Sequence, residues 1–275
     1  MTERSTQTVL VTGANSGIGL ATVLEVARRG WTSVGTVRSE EKAEVVAKAA
    51  AEAGVAVEPV LLDVTDAEGC RRVVEQWRPW GVVNNAGYSL TGAIEDVDDE
   101  EARAALETMV VAPMRFARLA LPHMREQEGG RIVNVSSIYG RATTPLQGWY
   151  QGAKHALEAL TDALRVEVVG AGVKVVLVEP GGFRTGIWER IENEIDERSG
   201  SRYETGYERT LLATRLGQPF MGDPERVASV IVGALAGGRP RARYLVGYDA
   251  QAVAFWDRVT PTPIKDLVTR VGLGL

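Results

Sequence analysis

The segment Thr12-Gly13-Ala14-Asn15-Ser16-Gly17-Ile18-Gly19 constrains the chain more than any other. It follows a β-type run, Thr8–Val11, and opens the helical pattern Leu20–Arg29. Glycines at 13, 17 and 19 let the backbone turn sharply and bring N–H groups close to a ligand, which then sits at the positive end of the following helix. Three glycines in seven residues also occur in plain turns. A strand before and a helix after are the context that turns them into a phosphate cradle, and a nucleotide is implied.

The rest of the chain repeats the same rhythm. Short β-branched runs near Thr8–Val11, Thr32–Val37, Ala56–Leu62, Gly81–Val83, Arg131–Val135, Lys174–Val178 and Ala242–Val246 alternate with segments of helical periodicity. This is the pattern of repeated βαβ units. Runs such as Val173, Val175, Val176, Leu177 and Val178 are apolar at nearly every position, as strands covered on both faces require. The expected fold is α/β, doubly wound and Rossmann-type, with a mostly parallel seven-stranded sheet and helices on both faces. No linker, internal repeat or low-complexity tract divides residues 1–275, so one domain is expected. Two stretches break the rhythm. Residues 186–222 are dense in charge, from Glu189 and Arg190 to Glu197 and Arg198, and read as a helical flap or as a solvated surface pair. The tail 250–275 carries Val253, Phe255 and Trp256 before Pro261 and Pro263; it is expected to make an oligomer contact, with peripheral membrane contact as the weaker alternative.

Composition narrows the partners. Of 275 residues, 45% are hydrophobic and 24% charged, with a net charge of −5, which disfavours nucleic acid as a partner. One cysteine, Cys70, forms no internal disulfide, and two histidines without clustered cysteines offer no structural zinc site. No apolar stretch reaches the roughly 20 residues of a bilayer span, and Met1–Thr8 lacks the apolar core of a secretory signal. A cytoplasmic protein with a small-molecule partner is expected.

Chemistry concentrates further along. Tyr150 and Lys154 stand four residues apart at the head of a helical pattern running to Val168, and so share one helix face. A free tyrosine, with a pKa of about 10, is a poor base at neutral pH; a neighbouring ammonium is expected to lower that value. Thirteen residues before Tyr150, Ser137 follows the fifth strand, and its hydroxyl can steady a substrate oxygen while Tyr150 moves the proton. His123 and His155 lie outside any matching motif and are expected to be structural, which disfavours a Ser137 hydrolase. At the end of the second strand stand Arg38 and Ser39 where a carboxylate would select NAD, so NADP(H) is the expected cofactor and NAD(H) the alternative.

The TGxxxGIG form of the loop, taken with these residues, resembles the short-chain dehydrogenase/reductase family over about Thr8 to Ala250. The resemblance implies cofactor contacts from Thr12, Gly13, Asn15, Ser16, Gly17, Ile18 and Gly19. It implies adenine contacts from Asp63 and the backbone of Val64. The run Asn84-Asn85-Ala86-Gly87 matches the family NNAG motif, with Asn84 tying neighbouring strands and Asn85, Ala86 and Gly87 near the cofactor. Pro180-Gly181-Gly182-Phe183-Arg184-Thr185 matches the PGxxxT segment, giving Pro180, Gly181, Phe183 and Thr185 to the nicotinamide end. Ser137, Tyr150 and Lys154 match the catalytic serine, tyrosine and lysine, the lysine also holding the nicotinamide ribose. The resemblance thus implies interconversion of a carbonyl and a secondary alcohol. Tyr88, Leu90, Tyr139, Leu146, Gly182, Phe183 and Trp188 are expected around the substrate and hint at a lipophilic one, though each also suits a core. A homodimer or homotetramer is expected. One departure stands out: Met109 occupies the place of the family's relay asparagine and lacks its hydrogen-bonding side chain. That leaves a rival expectation, a nucleotide-binding regulatory or scaffold protein with little turnover.

Overall fold

The computed structural model describes residues 7–275, so Met1–Thr8, expected not to be a leader, lies outside it except for Gln7 and Thr8. Seven strands form one sheet: β1 (Thr8–Thr12), β2 (Thr32–Val37), β3 (Glu58–Leu61), β4 (Gly81–Asn84), β5 (Gly130–Val135), β6 (Val173–Pro180) and β7 (Arg243–Val246). Their order is β3-β2-β1-β4-β5-β6-β7, and every pairing is parallel rather than mostly so. The third strand is shorter than the expected Ala56–Leu62, because only Glu58–Leu61 finds a register on β2.

Consecutive apolar residues along each strand serve opposite faces. Val9, Val11, Val83, Val133 and Val176 join one core, with Val23 and Val26 of α1 (Gly17–Arg28), Val46 of α2 (Glu40–Glu52) and Ile231 of α9 (Pro224–Ala236). Leu10, Val82, Ile132 and Val175 join the other, with Val73 of α3 (Ala67–Trp77) and Phe116 and Met124 of α5 (Ala112–Glu126). Cys70 is buried in this second layer. Each fully buried Leu, Ile or Phe contributes about 1.5–3 kcal/mol.

Between β1 and β4 the winding reverses, which opens a crevice at the carboxyl ends of the strands. Around it lie α4 (Asp99–Leu106), a π-helical turn Glu107–Val111 leading into α5, and α6 (Gly148–Glu167). The flap forms two helices, α7 (Ile187–Glu197) and α8 (Glu204–Gly217), and it is not simply a solvated pair. Ile191, Ile195 and Tyr207 pack with Ala93 and Leu146. Glu194 accepts from Ser89 Oγ and Thr91 N at 3.1 and 2.8 Å, and Tyr207 Oη donates to Asp96 at 2.8 Å. The tail forms α10 (Tyr248–Val259) and α11 (Thr262–Leu273); α11 lies on α8, where Arg209 donates to the carbonyls of Val271 and Gly272. Among the described residues no helix is long and apolar enough to cross a membrane, and no cluster of metal-ligating side chains forms.

Candidate active site

The crevice is a cavity of about 1620 Å³, walled by the loops that follow β1 to β6 and bordered by the flap and tail. Gly13, Asn15, Ser16, Gly17, Ile18 and Gly19 line one end. Helix α1 starts inside this loop, at Gly17 rather than at Leu20, and its N-cap Ser16 makes no side-chain cap bond. The first-turn N–H groups therefore face the cavity without a side-chain acceptor, the arrangement that takes an anion. Two glycines are obligatory. Gly17 has φ +52°, and a Cβ on Gly19 would stand 2.1 Å from the Gly13 carbonyl oxygen.

Thr12 is placed differently from expectation. Its Oγ1 accepts from the N–H groups of Asn85 and Ala86, both at 3.0 Å, so it joins the glycine loop to the β4 loop from behind and does not line the cavity. Asn85 completes the tie by donating to the carbonyls of Thr12 and Gly13 at 3.0 and 3.1 Å. Asn84 donates to Asn134 Oδ1 at 2.8 Å, bridging β4 and β5. Asn85, Ala86 and Gly87 line the wall.

Arg38 lines the cavity beyond β2, together with Lys42, a second cation in the first turn of α2. Ser39 turns away from that wall: its Oγ accepts from Lys42 N at 3.4 Å and caps α2. Asp63 Oδ1 accepts from Thr65 N and Oγ1 at 2.9 and 2.7 Å. Burial works against its charge, but the Thr65 bonds and the Arg38 guanidinium outweigh it and hold the carboxyl below its usual range. Val64 also lines the wall, with its carbonyl already taken by Arg115 Nη1 at 2.7 Å.

At the other end of the cavity Ser137, Tyr150 and Lys154 meet. Ser137 and Tyr150 line the same part of the wall, and Ser137 Oγ accepts from Tyr139 N at 3.2 Å. Lys154 Nζ donates to the Val135 carbonyl at 2.9 Å and lies over the Tyr150 ring, 5.8 Å from its centroid. The expected lowering of the phenol by the ammonium is not what this geometry produces. Burial pushes Tyr150 up to about 12, only partly offset by the neighbouring Ser137 hydroxyl, and burial also pushes Lys154 down to about 8.

Pro180, Gly181, Gly182, Phe183 and Thr185 form the opposite wall with Tyr88, Tyr139 and Trp188. Trp188 Nε1 donates to the Phe183 carbonyl at 2.6 Å. Leu90 and Leu146, expected beside the substrate, are instead buried core: Leu90 packs with Met109, and Leu146 with Ile191 and Tyr207. Met109 lies in the π-helical turn, 1% exposed, within an apolar cluster against which Tyr88 and Tyr150 also pack. His155 Nδ1 is within 2.9 Å of the Gln151 carbonyl and His123 lies near Glu126; neither lines the cavity.

Several lining residues carried no motif: Lys42, Tyr248 and Asp249, and Val253, Thr269 and Leu273 of the tail. Asp249 accepts from Gly182 N, which pins the β6 loop to the start of α10. None of them had a local sequence signal of its own, since Arg38 precedes the N-cap of α2 and shares no helix face with Lys42.

Comparison with known proteins adds a family. The sequence model described as short chain dehydrogenase matches residues 7–196. An uncharacterized oxidoreductase of Bacillus subtilis, YusZ, is 35% identical over 81% of this chain and 82% of its own. A protein of Bacteroides thetaiotaomicron named 3-ketodihydrosphingosine reductase is 32% identical over 88% of each chain. Among solved structures, an actinorhodin polyketide ketoreductase with NADPH superposes with a TM-score of 0.77 at 27% identity, over 92% of this chain and 99% of that one.

Proposed function

Because the chain belongs to the short-chain dehydrogenase family, we propose that it is an NADP(H)-preferring oxidoreductase that interconverts a carbonyl and a secondary alcohol on a lipophilic substrate. The observation that carries this reading is that Ser137, Tyr150 and Lys154 share one cavity with the glycine loop. The residues present fit a dinucleotide: an uncapped helix N-terminus for the pyrophosphate, Asp63 for adenine, and Arg38 with Lys42 for a 2′-phosphate. When bound, the nicotinamide supplies or takes up the hydride. Ser137 holds the substrate oxygen, Tyr150 transfers a proton to or from it, and Lys154 places positive charge beside them.

NADP(H) rather than NAD(H) is supported by Arg38 and Lys42, which line the cavity after β2 where Glu40 and Glu41 do not, and by the NADPH found with the polyketide ketoreductase. A lipophilic substrate is supported by Tyr88, Tyr139, Phe183 and Trp188 in the wall, and by the name of the Bacteroides relative. A cytoplasmic homodimer or homotetramer completes the reading, with the exposed Phe255, Trp256 and Val271 of the tail as the contact surface; sedimentation of the purified protein tests it. The test of function is NADPH oxidation with a panel of long-chain and aromatic ketones. Turnover supports the enzyme. Tight NADPH binding without turnover on any of them supports the second reading, a nucleotide-binding regulatory or scaffold protein, which Met109 favours.

A further inference from the structure

Helix α6 carries an ionisable residue at every fourth position: Tyr150, Lys154, Glu158 and Asp162. Residues at that spacing share a face, so the stripe runs from the cavity, which Tyr150 and Lys154 line, to the partly exposed Asp162. Glu158 lies in the middle and is only 7% exposed. A carboxylate that deep requires compensation, and what it receives is incomplete. Its Oε2 accepts from Arg243 Nε at 3.2 Å, while Oε1 has no full hydrogen-bond partner. Arg243 is divided among three acids, lying 2.5 Å from Asp162 and 3.2 Å from each of Glu158 and Glu179. Glu179 of β6 is fully buried and claimed by Arg141 at 2.6 Å. Ser136 faces Glu158 from the β5 loop: a Cβ added at Gly140 would stand 2.7 Å from Ser136 Oγ and 3.2 Å from Glu158 Oε1.

One turn back along the stripe is Lys154, 6% exposed, whose ammonium has one hydrogen bond, to the neutral Val135 carbonyl. Among the described residues it makes no contact ion pair, and Met109 offers it no polar side chain. We infer that Glu158 is the positioning residue of Lys154, its carboxylate being the counter-charge that keeps the ammonium protonated beside Tyr150. The sign agrees. Burial drives Lys154 down and the Glu158 charge pulls it back up. Glu158 is itself held above the usual carboxylate range by burial and by Glu179, against the pull of Ser136 and Arg243. Its catalytic meaning rests on the proposed role of Tyr150 and Lys154, but its test needs no turnover.

The test follows acetylation of Lys154 by a trace of acetic anhydride across pH, read by mass spectrometry in the unliganded protein. In Glu158→Gln the reactivity midpoint should fall by about one pH unit, the usual effect of losing one opposite charge. Glu158→Asp keeps the charge and should retain most of the parent midpoint. An unmoved midpoint in folded Glu158→Gln overturns the inference, and so does a fall in Glu158→Asp as large as in Glu158→Gln, which would show a packing role. Should Glu158→Gln not fold, the coupling can be read in reverse, because it is reciprocal. In Lys154→Met the Glu158 carboxyl, followed by carbon NMR, should protonate about one pH unit higher, and no change there overturns the inference. Absence of turnover on every ketone would count against the proposed function and leave these midpoints as they are.

Discussion

Met109 packs against Gly87: its Cγ and Sδ come within 3.4 and 3.5 Å of where a Cβ on Gly87 would stand. The thioether thus fills the space behind the NNAG loop, next to the helix that carries Tyr150 and Lys154. An asparagine in that space would bring a donor and an acceptor in place of apolar bulk.

Met109→Asn should therefore raise turnover if proton delivery limits the rate, with little change in NADPH affinity. The solvent isotope effect on turnover should be larger in the parent than in the variant. Loss of apolar burial should cost about 1.5–3 kcal/mol of stability, read by denaturant melting. Unchanged rate and isotope effect in a folded variant would assign Met109 to packing alone.

Tyr150→Phe removes the hydroxyl proposed to transfer the proton and leaves the ring. Turnover should drop at least about a hundredfold while NADPH still binds. A variant with near-parental turnover would refute the assignment.

For cofactor choice the informative change is Arg38→Asp, which sets a negative charge beside the expected 2′-phosphate. The ratio of kcat/KM for NADPH over NADH should fall by tenfold or more, about 1.4 kcal/mol. Parental protein that uses NADH as well as NADPH would contradict the preference.

The pH profile follows from the two shifted groups. The proposed reduction needs Tyr150 protonated and Lys154 charged. With the phenol pushed up to about 12, Tyr150 keeps its proton across the neutral range. Lys154, pushed down to about 8, loses its charge as pH rises through that value. Reductive kcat/KM should therefore fall above about pH 8. A profile level to pH 10 would exclude a charged Lys154 from the reaction.

Gly19→Ala forces a methyl group onto the Gly13 carbonyl and to within 2.6 Å of Asn85 Nδ2. The clash should cost about 1–3 kcal/mol and abolish NADPH binding, measured by thermal melting and fluorescence titration. Retained nucleotide affinity would place the phosphates elsewhere.

Local features were legible in the sequence, and long-range ones were not. Val9, Leu10 and Val11 declare a strand covered on both faces by their adjacency alone, and the glycine loop and the four-residue step from Tyr150 to Lys154 are equally local. Thr12 and Leu146 were misplaced because the direction of a side chain is decided by elements distant in sequence, the β4 loop for Thr12 and the flap for Leu146. The charges of the flap look solvated in sequence because the partners of Glu194, Ser89 and Thr91, lie about a hundred residues away. The ammonium at Lys154 is visible in the sequence, but the depth of its setting, which reverses the expected effect on Tyr150, is a property of the packed cavity.

The flap and tail add their share of the cavity wall late in the chain. The expected nucleotide contacts are complete by Thr185, and Tyr88, Tyr139 and Phe183 of the expected substrate wall also precede it, whereas Ile187, Trp188, Val253 and Leu273 come later. A chimera that grafts residues 186–275 of a relative onto residues 1–185 of this protein should keep the recipient's choice of cofactor and shift its choice of substrate only in part, because Tyr88, Tyr139 and Phe183 stay with the recipient. Selection on such a chain could diversify what is reduced without touching how the reducing power is held.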